Sequence, residues 1–458
     1  MMKQSIGTDL AIEIVKDGLS HRDVITEKID SLGREEKDDA FYIVDLADVV
    51  LKHKKWVQLL PRVEPFYAMK CNNDPAVLKL LAGLGLGFDC ASKGEIQTIL
   101  GLGVSPKKIV YANPCKQASH IKYASQHDVA MTTFDNEMEL HKIKKLYPDA
   151  QLILRIRTDD SKSLCQLGIK FGAPLKQCRH LLKVAQDLGL NVVGVSFHVG
   201  SGCFDASAYA TAVIAARSVF NLAVQFGFNC TLLDIGGGFP GDPNAAITFE
   251  EICTTINPLL EEHFPPSSGV RIIAEPGRYY SSSSFTLAVN VYSRREVQSS
   301  SVLAEDVTAP ENNGNQGFMY YVNDGVYGSF NCLIFDHATV EAIPVKESSG
   351  QPLYQTSIWG PTCDSMDCIT KNMMLPKVEV GEWLFFKYMG AYTQSAASTF
   401  NGFKKPTKFY LCTEELWPVL KQVIDPCHIE YKTCHAISEE SKSFLPFTEP
   451  LAILSAAM

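Results

Sequence analysis

Between residues 65 and 275, the chain alternates short apolar runs with stretches of helical spacing. The eight runs are Phe66–Ala68, Gly87–Asp89, Ile109–Ala112, Ala130–Phe134, Leu152–Ile156, Val192–Phe197, Thr231–Asp234 and Arg271–Ala274. Helical spacing is found between them at Ala76–Leu84, Lys93–Leu102, Asn136–Leu146 and Leu175–Leu188. Because parallel strands need long crossover connections, this order predicts parallel strands joined by helices. Eight strands close a (β/α)8 barrel, so we predict an α/β fold with a TIM-like barrel rather than a doubly wound open sheet.

The pattern changes after Phe285 to short strand-like runs separated by turn residues. The runs are Leu287–Ser293, Met319–Asn323, Thr339–Val345, Trp383–Phe386 and Lys408–Cys412. They predict a second, antiparallel β domain, a sandwich or barrel, with a flexible polar loop at 299–316. The predicted organisation is an N-terminal segment (1–40) packing on the β domain, the barrel (41–283), the β domain (284–425) and a C-terminal tail (426–458).

Composition excludes several classes of protein. The net charge of −9 argues against a nucleic-acid-binding protein, which usually has a basic face. No apolar run approaches the roughly 20 residues that span a bilayer, so no membrane association is expected. Charged residues interrupt the first 19 positions, and the 14 cysteines include no CxxC pair. We therefore expect a reduced, cytoplasmic protein without a metal site.

Polar residues just past the C-terminal ends of barrel strands are candidates for an active site, because such ends meet on one face. In chain order they are Lys70, Asp89, Glu95, Arg155, Arg157, His198, Ser201, Gly236–Gly238 and the sequence Glu275-Pro276-Gly277-Arg278. The three glycines let a ligand approach backbone N–H donors, and Arg278 is a suitable bidentate partner for phosphate. A plain tight turn is the alternative interpretation of the glycines.

A lysine on the same face as a phosphate site is what a Schiff-base cofactor requires. Lys70 ends the run FYAMK, and pyridoxal 5'-phosphate supplies both an aldehyde and a phosphate. Glu275 could then pair with the pyridine nitrogen and His198 could stack on the ring. Each residue also has a structural interpretation, as a strand-end lysine or as a hydrogen-bonded core histidine.

The second domain adds candidate substrate groups. Asp336 follows Phe335 in FDH, and Cys363 and Asp364 lie in WGPTCDSMD. Two carboxylates could bind a distal ammonium group, and a thiol could donate a proton. Spacing alone does not distinguish these roles from structural ones.

Nine sequence segments together resemble the eukaryotic ornithine decarboxylase family, with a nearly continuous match from about residue 40 to 412. The segments are FYAMKCN, GFDCASKGEI, YANPCKQ, GVSFHVGSGC, LLDIGGGFPG, IIAEPGRYY, YYVNDGVYGSFN, SIWGPTCDSMD and MGAYT. The resemblance implies an alanine-racemase-like barrel with a β domain and a lyase that converts L-ornithine to putrescine and CO2, the first step of polyamine biosynthesis.

The resemblance also implies roles for individual residues. Lys70 would hold pyridoxal phosphate as a Schiff base, His198 would stack on the ring, and Glu275 would bind the pyridine nitrogen. Phosphate contacts would come from Ser201, the loop Gly236–Gly238, the segment Pro276–Arg278 and Tyr392. Asp89, Glu95 and Arg155 would order the groups around the cofactor.

Family members are homodimers with shared active sites, so part of each site would come from the second subunit. Asp336 would bind the distal amine, while Cys363 and Asp364 would enter from the partner, positioned by Lys170. Cys363 would donate the proton that replaces the carboxylate. The residue before Asp336 is Phe335 where vertebrate enzymes carry tyrosine, which leaves the choice of ornithine over lysine open. The tail lacks the acidic character of rapidly degraded members.

Two alternative functions remain open. The first is an antizyme inhibitor, an inactive relative that binds the regulatory protein antizyme; the intact candidate residues favour an enzyme. Antizyme is also an expected partner of the enzyme, through a basic surface at 116–145 that contains Lys116, Lys122, Lys142, Lys144 and Lys145. The second is a decarboxylase of lysine, arginine or diaminopimelate; Asp336 and Asp364 argue against diaminopimelate, whose distal carboxylate needs a cation.

Overall fold

A computed structural model describes residues 2–6, 10–298 and 316–424. In chain order the strands are β1 (Met2–Ile6), β2 (Leu10–Val15), β3 (Phe41–Asp45), β4 (Val63–Ala68), β5 (Gly87–Cys90), β6 (Ile109–Tyr111), β7 (Met131–Phe134), β8 (Gln151–Arg155), β9 (Ser163–Cys165), β10 (Asn191–Ser196), β11 (Ser201–Cys203), β12 (Leu232–Asp234), β13 (Arg271–Ala274), β14 (Phe285–Gln298), β15 (Gln316–Val322), β16 (Ile343–Pro344), β17 (Leu353–Trp359), β18 (Cys368–Pro376), β19 (Trp383–Phe386) and β20 (Thr407–Thr413).

The helices are α1 (His21–Arg34), α2 (Leu46–Leu59), α3 (Pro75–Gly83), α4 (Lys93–Gly101), α5 (Ala118–Gln126), α6 (Glu137–Leu146), α7 (Leu175–Asp187), α8 (Ser207–Val224), α9 (Phe249–His263), α10 (Arg278–Ser281), α11 (Cys332–Phe335) and α12 (Trp417–Ile424). Short 3-10 turns occupy Pro106–Lys108, Pro266–Ser268, Ser329–Asn331 and Phe400–Gly402.

The chain divides into two compact units. Among the described residues, the sheet unit contains those up to Asp48 and those from Ser281 to Leu420, and the barrel unit contains Val49–Tyr280 and Lys421–Ile424. The barrel unit thus begins later than the predicted residue 41, because β3 pairs with β14 and β20 in the sheet unit. The predicted tail (426–458) and most of the predicted loop (299–316) lie outside the described residues.

The barrel closes in the order β10-β12-β13-β4-β5-β6-β7-β8, with every pair parallel. Each of the eight predicted apolar runs overlaps one of these strands, which confirms the predicted barrel. Strands covered on both faces read as apolar runs without alternation, which is why they were visible in the sequence. Side chains from six strands form one buried cluster: Phe66, Val110, Met131, Ile153, Leu232 and Ile273.

Local sequence signals define the ends of the barrel helices. Asp74 caps α3 by accepting from Ala76 N–H, and a proline follows at the first helical position. Thr248 and Glu251 form a reciprocal capping box at the start of α9. The four predicted helical stretches coincide with α3, α4, α6 and α7 to within one residue at each end. A short antiparallel pair, β9 with β11, was not predicted.

The sheet unit is built around the order β1-β2-β20-β3-β14-β15-β17-β18, with β19 pairing with β14 and β16. Most pairs are antiparallel as predicted, but β20 runs parallel to β2 and β3, and β15 runs parallel to β17. The sheet is therefore mixed, because β20 inserts between two N-terminal strands from the far end of the chain. The predicted strand Thr339–Val345 is wrong except for the two-residue β16.

Within the described ranges, one helix is long and apolar enough to cross a membrane. This is α8, with a mean hydropathy of 1.3 in its 18-residue window, 44% of which is buried. Its buried side chains include Tyr209, Val213 and Phe220. A core helix of a folded unit passes the same test of length and composition, so α8 is weak evidence for a membrane span.

Candidate active site

The predicted barrel residues lie at the carboxyl ends of the barrel strands. Lys70 follows β4, Asp89 belongs to β5, and Arg155 ends β8. His198 follows β10, the glycine loop Gly236–Gly238 follows β12, and Glu275 follows β13. Because all these strands are parallel, their carboxyl ends share one rim of the barrel. The geometry therefore places residues from distant parts of the sequence on one face.

An ion pair joins Lys70 to Asp89 at this rim. The Lys70 ammonium donates to Asp89 Oδ2. The Asp89 carboxylate is fully buried, whereas the Lys70 side chain is 40% exposed. Asp89 Oδ1 has no hydrogen-bond partner among the described residues. The pair thus places an amine that solvent can reach beside a buried anion, where it is accessible to an aldehyde.

Two further buried carboxylates lie beside this pair. Burial raises the pKa of Glu275 well above its usual range, and the charges of Asp234 and Asp89 raise it further. Burial likewise raises the pKa of Asp234, while its contacts with Gly236 and Glu275 oppose the rise. Asp234 Oδ1 accepts from Gly236 N–H at 2.9 Å. Because like charges in a dry site resist simultaneous ionisation, the charge of Asp234 disfavours the ionised form of Glu275.

The unsatisfied atoms of this carboxylate pair test whether a pyridine cofactor fits. Glu275 Oε1 and Asp234 Oδ2 are buried without a hydrogen-bond partner in the described chain. A buried acceptor without a donor costs free energy, so such a site favours a ligand that brings a donor. A protonated pyridine nitrogen is a donor of this kind. Asp234 was not among the predicted site residues, although its position in LLDIGGG, directly before the glycine loop, could have indicated it.

The glycine loop comes closer to neighbouring backbone than any other residue type would allow. A Cβ on Gly236, whose φ is 65°, would lie 2.2 Å from Phe197 O. A Cβ on Gly238, whose φ is 103°, would lie 2.8 Å from Gly200 O. Backbone N–H groups in such a loop can approach an anion directly. The steric contacts explain why these positions are glycine, and the phosphate-binding role of the loop stays a prediction.

Arg278 and Ser201 meet beside this loop. Arg278 Nη2 donates to Ser201 Oγ at 3.0 Å. Pro276 O accepts from Ala68 N–H at 3.1 Å, and a Cβ on Gly277 would lie 2.8 Å from Cys71 Cβ. The segment that carries Arg278 is thereby packed against the end of β4, next to Lys70. A guanidinium, a hydroxyl and a glycine loop together fit a phosphate group.

His198 lies over the glycine loop in a fixed orientation. Its Nδ1 accepts from Gly200 N–H at 3.0 Å, and Nε2 would lie 2.9 Å from a Cβ on Gly237. Burial lowers the pKa of His198 well below its usual value, and the charges of Arg155 and Lys70 lower it further. The imidazole is therefore neutral at pH 7, with Nδ1 as the acceptor. A neutral ring is suited to stacking on a cofactor.

Glu95 and Arg155 complete the barrel set. Glu95 Oε2 accepts from Ala91 N–H at 2.6 Å, and burial raises the pKa of Glu95. The Arg155 guanidinium lies over the ring of Phe171, 5.3 Å from its centroid. Both residues lie close enough to affect the ionisation of neighbouring groups. Burial raises the pKa of the Cys90 thiol and Glu95 raises it further, whereas Arg155 opposes the rise in the pKa of Glu275.

The remaining predicted residues belong to the sheet unit. Asp336, which is buried, directly follows α11, whereas the neighbouring Phe335 side chain is 69% exposed. Cys363 and Asp364 lie on the loop between β17 and β18, with Cys363 exposed. The structure thus brings Cys363 and Asp364 together on one loop and supplies Asp336 from a separate segment. Tyr392 has a φ of 54°, a backbone conformation that is uncommon outside glycine and often marks functional sites.

The basic surface predicted at 116–145 needs one correction. The Lys116 side chain is only 1% exposed and lies 2.9 Å from Glu139 Oε1, with Nζ also donating to Thr133 O at 2.6 Å. Lys116 is therefore an internal residue, and the prediction that it contributes to a surface is wrong. Lys142 is partly buried and also pairs with Glu139, at 2.6 Å. Exposed members of the set are Lys122, Lys144 and Lys145.

A substitution in the glycine loop tests the phosphate cradle. An alanine in the left-handed conformation costs roughly 1–2 kcal/mol. We expect Gly236→Ala to lower the free energy of unfolding by more than this cost, because its Cβ would also meet neighbouring backbone. It should also weaken pyridoxal phosphate binding, measured by fluorescence titration. Gly227→Ala is the matched control, since Gly227 has a φ of 77° but no atom within 4 Å of its Cβ position. Equal cofactor affinity in the two variants would contradict the cradle.

The fold and this rim define a cofactor-dependent enzyme built on a (β/α)8 barrel. The family model described as "Pyridoxal-dependent decarboxylase, pyridoxal binding domain" matches residues 46–282. The chain belongs to this family of decarboxylases, and its cofactor is pyridoxal 5'-phosphate.

Comparisons with individual proteins agree with this family. The chain is 51% identical over 411 residues to ornithine decarboxylase of Rattus norvegicus, covering 90% of this chain and 88% of that protein. It is 53% identical over 409 residues to antizyme inhibitor 2 of Xenopus laevis, covering 89% of each. The solved arginine decarboxylase of Paramecium bursaria Chlorella virus superposes with a TM-score of 0.77 at 33% identity, covering 85% of this chain and all of that one.

Proposed function

We propose that this protein decarboxylates L-ornithine to putrescine and CO2, the first step of polyamine biosynthesis. The observation that carries the proposal is the intact reactive centre. An accessible lysine pairs with a fully buried carboxylate, beside a buried pair of carboxylates with unsatisfied acceptor atoms. Such a centre is costly to maintain unless a cationic ring occupies it. Similarity to ornithine decarboxylases supports the choice of substrate.

Each barrel residue has a role in holding the cofactor. Lys70 would hold the cofactor through its aldehyde, and Glu275, with Asp234 beside it, would bind the protonated pyridine nitrogen. Gly236–Gly238, Ser201 and Arg278 would bind the phosphate, and His198 would stack on the ring. Asp89, Glu95 and Arg155 fix the charges around these groups. When bound, the cofactor accepts the electron pair left by the departing carboxylate.

The reaction replaces one bond at the substrate Cα. The Cα–carboxylate bond breaks, CO2 leaves, and a proton from the Cys363 thiol takes the vacated position. A solvent proton restores the thiol, so the net change is consumption of one proton and release of CO2. The exposed position of Cys363 leaves its Sγ available for this transfer.

Two carboxylates of the sheet unit select a diamino acid. Asp336 and Asp364 bind the distal ammonium, which favours ornithine or lysine over a substrate with a distal carboxylate. Ornithine and lysine differ by one methylene, worth only roughly 1–3 kcal/mol in a pocket. Phe335 contributes to this choice only through its backbone or its ring, since it has no hydroxyl.

The direct test is CO2 release from carboxyl-labelled L-ornithine, with L-lysine assayed in parallel and pyridoxal phosphate present. We expect a kcat/KM for ornithine that exceeds that for lysine by about tenfold or more, the discrimination that one methylene allows. Preference for lysine would refute the substrate, and no release from either would refute the reaction.

The second candidate function is that of an antizyme inhibitor, favoured by the 53% identity to a protein of that name. It predicts binding to antizyme without CO2 release in the same assay. The reactive centre on the barrel rim argues against it, because a protein that only binds a partner does not need unsatisfied buried carboxylates.

Assembly and partners extend the proposal. The protein is a homodimer in which Cys363 and Asp364 enter the site of the second subunit, with Lys170 next to that loop. The exposed Lys170 ammonium lies 5.0 Å from the centroid of the Phe171 ring. Antizyme binds the surface that contains Lys122, Lys144 and Lys145, and the protein is cytoplasmic. Dimerisation is checked by light scattering, antizyme binding by calorimetry, and location by imaging of a tagged chain.

A further inference from the structure

The loop that carries Cys363 and Asp364, residues 360–367, has exposed positions, yet its last residue is a buried carboxylate. Asp367 is 1% exposed, whereas Cys363, Ser365 and Met366 are exposed. A buried carboxylate on a surface loop loses its hydration and must regain hydrogen bonds from the protein. The partners of Asp367 therefore show what this part of the fold holds in place.

Asp367 ties two separate loops together through its side chain. Its Oδ1 accepts from Val326 N–H at 2.8 Å, and its Oδ2 accepts from Thr362 N–H at 2.9 Å. Val326 lies in the loop after β15, and Thr362 directly precedes Cys363. One carboxylate thus fixes the start of the loop that carries Cys363 (the reactive loop, residues 360–367) to a different segment of the sheet unit.

The backbone of Asp367 closes the same loop from the other side. Gly360 N–H donates to Asp367 O at 2.8 Å, and Asp367 N–H donates to Asp364 O at 3.1 Å. Asp367 therefore contacts residues on both sides of the predicted proton donor Cys363: Gly360 and Thr362 before it and Asp364 after it. Four hydrogen bonds at one residue leave the intervening backbone few alternative conformations.

Two glycines make room for this carboxylate. A Cβ on Gly325 would lie 2.1 Å from Asp367 Oδ1, and a Cβ on Gly360 would lie 2.2 Å from the same atom. Neither glycine has a positive φ. Their small size, rather than backbone freedom, is what the position requires, so both segments are shaped around the Asp367 side chain.

The segment tied by Asp367 also contacts Asp364 directly. Tyr327, next to Val326, donates its hydroxyl proton to Asp364 Oδ2, and its ring stacks on Phe400 at 4.5 Å between centroids. Cys363 N–H donates to the side chain of Asn401, at 3.3 Å. Asp367 sets the distance between these two loops, and the orientation of Asp364 toward Tyr327 depends on that distance.

We propose that Asp367 is a positioning residue for the reaction: it places the Cys363 thiol and the Asp364 carboxylate by tying their loop to the Gly325–Val326 segment. The inference rests on the proposed function in one respect, the roles of Cys363 and Asp364. In this role Asp367 acts through the backbone of Thr362 and Asp364 and not on the reacting atoms.

The test is Asp367→Asn in the full-length holoenzyme. An asparagine has one acceptor oxygen where aspartate has two, so either Val326 or Thr362 loses its acceptor. We expect hydrogen exchange of the segment 360–367 to accelerate by about tenfold or more. We also expect a fall in putrescine formation of roughly 10- to 100-fold, since a shift of about 1 Å in a reacting group has that effect. The visible absorbance of bound cofactor should not change.

The ratio of CO2 released to putrescine formed separates positioning from general destabilisation. If the thiol is misplaced, Cα would not receive its proton from Cys363. The substrate would then leave as an aminoaldehyde, with its oxygen taken from water and its amino nitrogen retained by the cofactor. CO2 would then exceed putrescine, and the aldehyde would account for the difference. Thr286→Val, which removes a buried hydroxyl elsewhere in the sheet unit, should keep the ratio at one.

A second variant is available if Asp367→Asn does not fold. Gly360→Ala keeps the carboxylate but displaces it, and should give the same excess of CO2; Gly33→Ala, with no atom within 4 Å of its Cβ position, is its control. Suppose that the wild-type protein is active and that Asp367→Asn and Gly360→Ala both release CO2 and form putrescine in a ratio of one. That result would overturn the inference about Asp367 and leave the proposed function standing. Wild-type protein that releases no CO2 would instead refute the proposed function, and with it the inference.

Discussion

Lys70→Ala protein is expected to release CO2 from carboxyl-labelled L-ornithine at a rate lower by roughly 10⁴-fold or more, as removal of an enzyme's covalent anchor does. The variant should also lack the visible absorbance that pyridoxal phosphate gains on joining a lysine. The structure supports this expectation because Lys70 is an accessible amine held by the buried Asp89 at the barrel rim. Spectrophotometric titration and the labelled-substrate assay check the two effects.

The control for this substitution is Lys176→Ala, which removes an exposed lysine from α7 in the same unit. Loss of Lys70 leaves the Asp89 carboxylate without its cation, so thermal unfolding of each variant must be measured beside activity. Retained visible absorbance in folded Lys70→Ala protein would rule out this lysine as the anchor.

Cys363→Ala is the second substitution with a large expected effect. Loss of a positioned general acid costs about 10²- to 10⁴-fold in rate, and putrescine formation should fall accordingly. CO2 release should fall less, because the carboxylate can leave before the misdirected proton arrives. Separate quantification of CO2 and putrescine measures the difference. Cys115→Ala, which removes another exposed cysteine, is the matched control.

The same two variants test whether the sites are shared between subunits. If Cys363 serves the partner's barrel, a Lys70→Ala subunit and a Cys363→Ala subunit together form one intact site per mixed dimer. Equal mixing should then restore about a quarter of wild-type activity, since half the dimers are mixed and each has one working site. No recovery in demonstrably mixed dimers would argue for self-contained sites, whereas an unchanged rate and product in Cys363→Ala protein would exclude the proton-donor role.

Much of the barrel could be predicted from sequence because its signals are local. Each parallel strand is a short apolar run, and each helix has its own periodicity and cap, so windows of ten residues contain the information. Strand ends then indicated Lys70, Asp89 and Glu275 as rim residues. The antiparallel character of the sheet unit was less predictable, because the parallel placement of β20 between β2 and β3 joins segments about 400 residues apart.

The residues that sequence reasoning missed or misplaced share a common cause. Asp234 gains its significance from Glu275, which directly follows the neighbouring strand β13. Lys116 is internal because it pairs with Glu139 of α6. In the sequence, Asp367 resembles any other acidic residue of a polar loop. Its role follows from the structure, in which the N–H groups of Val326 and Thr362 donate to its carboxylate. In each case the burial and the partners of a charged side chain determined its role.

The sequence by itself determined the number of barrel strands, the helices between them and the chemical types of the residues at the rim. These properties follow from periodicity along the chain and from side-chain chemistry, which need no partner to be read. The tertiary structure alone decided which carboxylates are buried beside each other, which lysines reach solvent and which aspartate ties the Cys363 loop to another segment. Those outcomes depend on desolvation and on hydrogen bonds between distant segments, and both arise only when the segments pack together.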